Sequence, residues 1–143
     1  MPNKKVSVKT NIKENFTLES KSREHVSITD QPSPMGQDKG PTPLEYLFIS
    51  LGGCLCTIGK IIAKEKGIDL NDIKVEVEGD LDTDVLMGKN KNARPGFQNI
   101  KCIVDVDADM SKKEKEEFIH EVDERCPISD NISNLSTIKF EVK

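Results

Sequence analysis

The chain has 143 residues, enough for one domain around one sizeable core and too few for two ordinary domains. With 32% charged and 35% hydrophobic residues it reads as an ordinary globular protein, and a net charge of −4 excludes the basic footprint that nucleic acid or an anionic membrane needs. Tryptophan is absent and aromatics are scarce, which also argues against base stacking.

The first residues, MPNKKVSVKT, carry lysines with no apolar run behind them, so no export signal is expected and the expected location is the cytoplasm. Short β-like alternation follows at 4–9 (Val6, Val8), 14–20 (Phe16, Leu18) and 25–30 (Val26, Ile28), which predicts a three-stranded meander. A Pro- and Gly-rich loop, Gln31 to Pro41, leads to the clearest helix start in the chain. Thr42 can cap, Pro43 suits the first helical position, and Glu45 sits where a capping box needs it. The helix is expected to end at Lys66, with Gly67 as its stop.

Two strands come next. Ile73, Val75 and Val77 alternate with charged neighbours, and Ile100, Cys102, Val104 and Val106 do the same, with a polar loop at 82–96 between them. Ser111 and Glu114 form a second capping box, opening a helix to Arg125 with Phe118, Ile119 and Val122 as its apolar stripe. Cys126-Pro127 starts a further short helix, and Ile138, Phe140 and Val142 suggest a last strand. The order is βββ, long helix, ββ, helix, short helix, β, which predicts a single α+β domain over 1–143.

The long helix would span about 36 Å at about 1.5 Å per residue. Between Tyr46 and Gly59 it is apolar on nearly every side, so it asks for cover on every side. Those 14 residues before Lys60 are too few to cross a bilayer. Gly52, Cys56, Gly59 and Ala63 make a stripe of small side chains along it. Two readings stay open: a glycine pair tolerated against a sheet, or a crossing with a copy of the same helix in a homodimer. The second puts Gly52, Cys56 and Gly59 in the interface.

Cysteines stand at 54, 56, 102 and 126, with no C-x-x-C pair, and His25 and His120 are far apart, so no metal site is expected. Cys56 belongs to the small stripe and reads as packing. Cys102 falls on the core face of its strand, which predicts that it is no redox partner of Cys56. Cys54 shares a helix face with Leu47, Ile58 and Ile61, where a thiol taken alone is usually inert. Cys126 follows Arg125 and precedes Pro127 at a helix start, where backbone N–H groups and the helix dipole favour a thiolate.

Three segments together resemble the OsmC/Ohr family of thiol-dependent hydroperoxide reductases: Asp30-Gln31-Pro32 through Gly40-Pro41-Thr42-Pro43-Leu44-Glu45-Tyr46-Leu47, then Ser50-Leu51-Gly52-Gly53-Cys54, then Glu124-Arg125-Cys126-Pro127-Ile128-Ser129. Their order and spacing are similar to the family across nearly the whole chain. The resemblance implies an intertwined homodimer with antiparallel sheets wrapped around the long central helices. It implies that Cys54 is the peroxidatic cysteine and Cys126 its resolving partner, with no cofactor. The substrate would be an organic hydroperoxide and the reductant a dithiol, lipoyl-type or small.

In the family, an arginine from the N-terminal strands and a glutamate near the start of the long helix activate the first cysteine. Counting from Cys54, that glutamate position holds Leu44, and Glu45 is one residue later. Glu45 lies about 13 Å along the same helix and on its opposite side, so it can reach only a partner's Cys54 or serve as a cap. Arg23 and Arg94 are the candidate arginines; each can equally be a solvated charge. The alternative to an enzyme is a binding module of the same fold, holding a lipid-like or thiol metabolite beside Cys54 without turnover, and the missing match at Leu44 favours it. A structural metal on Cys54, Cys56 and Cys126 is the weakest reading.

Overall fold

The computed structural model describes residues 2–143 as two units that meet in sequence between Ile49 and Ser50. In the first unit, β1 (Lys9–Glu14), β2 (Thr17–Ser22) and β3 (His25–Thr29) form an antiparallel sheet in that order. Asn15 and Arg23 turn the chain with positive φ, 52° and 56°. Asn takes that left-handed conformation readily, whereas arginine adopts it at some cost. The first strand forms at 9–14 rather than at the expected 4–9. Lys9 pairs with Lys21, so residues before Lys9 would lie opposite the turn that follows Ser22, where no ladder continues. Alternation at Val6 and Val8 cannot supply the missing partner.

The loop after β3 is organised by Asp30, which is fully buried. Its carboxylate accepts from the Thr17 hydroxyl (2.8 Å) and from the amides of Gln31 (2.7 Å), Lys39 (3.2 Å) and Gln37 (3.4 Å). Burial alone would raise its pKa, but these donors outweigh it and hold the carboxyl below its ordinary value. The loop comes so close that a Cβ on Gly36 would run into Asp30 and the Gln31 carbonyl, and one on Gly40 into the Ile28 carbonyl. Helix α1 (Pro43–Lys66) begins as expected, with the Thr42 hydroxyl accepting from the Glu45 amide at 3.2 Å.

The second unit holds the rest of α1, then β4 (Asp72–Asp80), α2 (Thr83–Leu86), β5 (Asn99–Asp107), α3 (Lys112–Arg125) and α4 (Pro127–Ser133). The short α2 lies inside the segment expected as loop; Asp82 caps it by accepting from the Asp84 amide. Strands β4 and β5 pair antiparallel, with Ile73 opposite Val106, Val75 opposite Val104 and Val77 opposite Cys102. Their apolar face meets α1 and α3 in a core of Leu51, Leu55, Ile62, Val106, Phe118 and Val122. Ser111 and Glu114 form the expected reciprocal capping box at the start of α3. The fold is α+β, with antiparallel sheets and one long helix.

Three expectations are corrected here. The small stripe of α1 faces the chain's own sheet, not a copy. The Cys56 thiol donates to the Ile73 carbonyl at 3.6 Å, and a Cβ on Gly59 would meet Ile73 at 3.1 Å and Phe118 at 3.7 Å. Gly52, Cys56 and Gly59 are therefore occupied within one chain, and close approach of β4 is what the stripe permits. Within one chain the cover of α1 is one-sided, with Leu44, Leu47, Ile49 and Ile61 exposed and nothing within 4 Å of a Cβ on Gly53. Over its full 24 residues α1 is long and apolar enough to cross a membrane by length and composition, because Ile61, Ile62 and Ala63 extend the apolar run past Lys60. Finally, 135–143 form no strand, and Ile138, Phe140 and Val142 stand 77, 88 and 93% exposed. Alternation defines two faces but cannot provide a ladder, and among the described residues no strand pairs with this segment.

Candidate active site

Cys54 lies on α1, between the core positions Leu51 and Leu55, and is half-buried. Cys126 ends α3 and caps α4, with φ −86° and ψ 109°, an extended residue between two helices. Proline at 127 cannot continue α3 with a backbone donor, yet it suits the first position of a new helix. The break turns the Cys126 side chain inward, 1% exposed, where its sulfur accepts from the Ser129 amide at 3.4 Å.

These two thiols, far apart in sequence, come together. Cys54 is within hydrogen-bonding reach of Cys126, and the Ile128 amide donates to it. Burial, and then the neighbouring Cys126 thiol, push the Cys54 thiol up from its ordinary value, while the Ile128 N–H pulls the other way. All four cysteines are free thiols. The Arg125 guanidinium is committed elsewhere: it grips Glu65 through two hydrogen bonds of 2.8 and 3.1 Å, tying the end of α3 to the end of α1. That pair lowers the pKa of Glu65 and raises that of Arg125.

The other candidates stand at other places in the chain. Arg94 is exposed in the loop before β5, its guanidinium lying about Gly96, 3.4 Å from where a Cβ would be. It is not among the groups that shift Cys54. Arg23 sits at the exposed tip of the β2–β3 hairpin and Glu45 in the first turn of α1, both in the first unit. Among the described residues, no three His, Cys, Asp or Glu side chains are grouped to hold a metal ion.

Two features went unread in the sequence. One is the Ile128 amide, the first N–H of the turn that Pro127 opens, since proline has none, and it is free to bond outward as first-turn amides are. The other is Cys102. It lies on the inward face of β5 as its alternation predicts, but it is exposed rather than buried. An open cleft of about 300 Å³ runs over it, lined also by Leu51, Leu55, Asp123, Ser129 and Ile132. Burial, then Asp123, then Cys126 raise the Cys102 thiol from its ordinary value.

Comparison with known proteins returns one consistent likeness. Residues 36–141 match the family model described as OsmC-like protein. A protein of Mycoplasma pneumoniae called hydroperoxide reductase is 28% identical over 115 residues, 80% of this chain and 78% of that one. Among solved structures, an OsmC-like protein from Mycoplasma pneumoniae superposes with a TM-score of 0.82 at 23% identity, covering 94% of this chain and 91% of that one. An organic hydroperoxide resistance protein from Legionella pneumophila superposes with a TM-score of 0.68 at 16% identity, covering 92% and 91%.

Proposed function

This chain belongs to the OsmC-like protein family, and we propose that it is a cysteine-based peroxidase that reduces organic hydroperoxides. The observation that carries this reading is the meeting of Cys54 and Cys126, two reduced thiols 72 positions apart by subtraction of their residue numbers (126 − 54). A packing role needs no second sulfur against the first. The name of the Mycoplasma pneumoniae relative points to the same chemistry.

The Cys54 thiolate attacks the terminal oxygen of the hydroperoxide, the O–O bond breaks, and the alkoxide leaves as an alcohol after taking a proton. Cys54 is left as a sulfenic acid. Cys126 then attacks the Cys54 sulfur, water leaves, and a disulfide joins the two. An external dithiol, lipoyl-type or small, returns both thiols and is itself oxidised to a disulfide. No cofactor takes part in this scheme.

Within one chain the balance of burial and neighbours disfavours the Cys54 thiolate. Activation then has to come from a further group, and the candidates are Arg23, Arg94 and the Glu45 of a second copy. This is why we place the working unit in a homodimer, covering the open face of α1 around Gly53. A cytoplasmic location suits it, since thiols are kept reduced there. The second reading, a binding module without turnover, is favoured by Leu44 at the family's glutamate position.

The test is loss of tert-butyl or cumene hydroperoxide in the presence of a dithiol. Wild type should consume peroxide catalytically, while Cys54→Ser should lose about 10³-fold or more, as removal of a nucleophile does. Wild type no faster than Cys54→Ser would sink the enzyme and leave the binding module standing.

A further inference from the structure

We infer that Asp123 and Ser129 are positioning residues for the resolving step, a side-chain clamp across the break between α3 and α4 that holds the Cys126 sulfur ready to attack Cys54. The inference rests on the peroxidase reading and names the residues that govern its second half. Asp123 stands three residues before Cys126, in the last turn of α3, and Ser129 three residues after it, in the first turn of α4. The Ser129 hydroxyl donates to the Asp123 carboxylate, so one bond joins the two helices directly. The backbone completes the ring: the Cys126 amide donates to the Asp123 carbonyl at 3.1 Å, and the Ser129 amide donates to the Cys126 sulfur at 3.4 Å. Each member of the pair thus holds Cys126, one by its amide and the other by its sulfur.

The break calls for such a bond. Pro127 has no N–H to reach back to α3, and the seven residues of α4 are too few to hold a helix on their own. Ile128 and Ile132 pack against the core and anchor α4, while the clamp fixes the direction in which it leaves α3. Resolution depends on that direction. The Cys126 sulfur attacks the sulfur of the Cys54 sulfenic acid, the S–O bond breaks, and the hydroxyl leaves with the Cys126 proton as water. The attack must run along the S–O axis, so an aim that wanders costs rate. With the clamp cut, the Ser129 amide no longer holds the Cys126 sulfur at one bearing. Closure then slows, while the first step, which uses the Cys54 sulfur, goes on.

Dimedone reads the second step by itself. After one equivalent of tert-butyl hydroperoxide, the Cys54 sulfenic acid partitions between a dimedone adduct and the Cys54–Cys126 disulfide, and peptide mass spectrometry gives the ratio. Ser129→Ala and Asp123→Ala should each move that ratio about fivefold toward the adduct, the kinetic equivalent of one hydrogen bond lost. The double variant should move it no further, because both changes delete the same bond. Ser129→Thr and Asp123→Asn keep the hydroxyl and the acceptor and should restore most of the wild-type ratio. A ratio unchanged in both alanine variants, effects that multiply in the double variant, or no rescue by either conservative variant would overturn the clamp. Diamide, which oxidises neighbouring thiols to a disulfide without any hydroperoxide, checks the same closure. Formation of Cys54–Cys126 should be about fivefold slower in both alanine variants, and rates equal to wild type would overturn the clamp as well. Failure of the peroxidase reading has a separate signature, hydroperoxide left unconsumed by wild type, and the diamide rates then decide the clamp alone.

Discussion

A carboxylate shut away from water needs its charge met inside the protein, and Asp30 meets it with one hydroxyl and three amides of its own loop. Its pKa is lowered in the folded chain, so ionised Asp30 stabilises the fold above its unfolded value of about 3.9, and that stability is lost as pH falls through the lower folded value. Asp30→Asn removes the charge at all pH values. Thermal melts should therefore find Asp30→Asn less stable than wild type at pH 7, with the gap closing below about pH 3.9. A gap independent of pH would mean that shape, not charge, matters there. Single residues also mark how far the sequence could be read. Cys126 at a Pro127 helix start was legible because caps are local. Its meeting with Cys54 was implied only by family resemblance, since it depends on how α3 and α1 pack. Alternation located Cys102 on the right face but is blind to depth, and the cleft above it depends on three other elements.

Elements with local signals formed where the sequence put them. Helix α1 spans Pro43–Lys66, the residues bounded by the Thr42 cap and by Gly67, whose φ of 67° suits glycine. Helix α3 follows its capping box. Strands, which need partners, were less legible: β1 shifted to the residues that can pair with β2, and the segment around Phe140 found no ladder. The same division explains the small stripe. Its spacing announced a close backbone, and β4 turned out to be that backbone. Gly59→Leu should accordingly damage folding itself, costing more than about 1–3 kcal/mol by overpacking against Ile73 and Phe118. A Cβ on Gly53 meets nothing within 4 Å, so Gly53→Leu should leave the fold of the chain intact, gaining up to about 1 kcal/mol of helix propensity. Chemical denaturation of the two variants checks the contrast, and equal losses would contradict this packing of α1.

For the whole molecule, the uncovered face of α1 is the feature that a single chain does not explain. Only 28% of the most apolar stretch of this helix is buried, and Ile49 and Ile61 are exposed beside the open Gly53. A second copy laid on that face would cover it and bring in the activating groups that Cys54 lacks. Sedimentation at micromolar concentration should find a dimer for wild type. Gly53→Leu should weaken it by about tenfold or more, the equivalent of about 1–3 kcal/mol of overpacking. A wild-type monomer would remove the source proposed for activation, though not the pairing of thiols. That pairing leads to the central claim, that Cys54 is the sulfur which attacks the hydroperoxide. Cys126→Ser cannot resolve a sulfenic acid on Cys54 with its own side chain, so the intermediate should be open to trapping by dimedone. Treat Cys126→Ser and Cys102→Ser/Cys126→Ser with one equivalent of tert-butyl hydroperoxide in the presence of dimedone, and map the adduct by peptide mass spectrometry. The account predicts a single adduct on Cys54 in the double variant, abolished by Cys54→Ala; an adduct on another cysteine, or none with the hydroperoxide unconsumed, would contradict it.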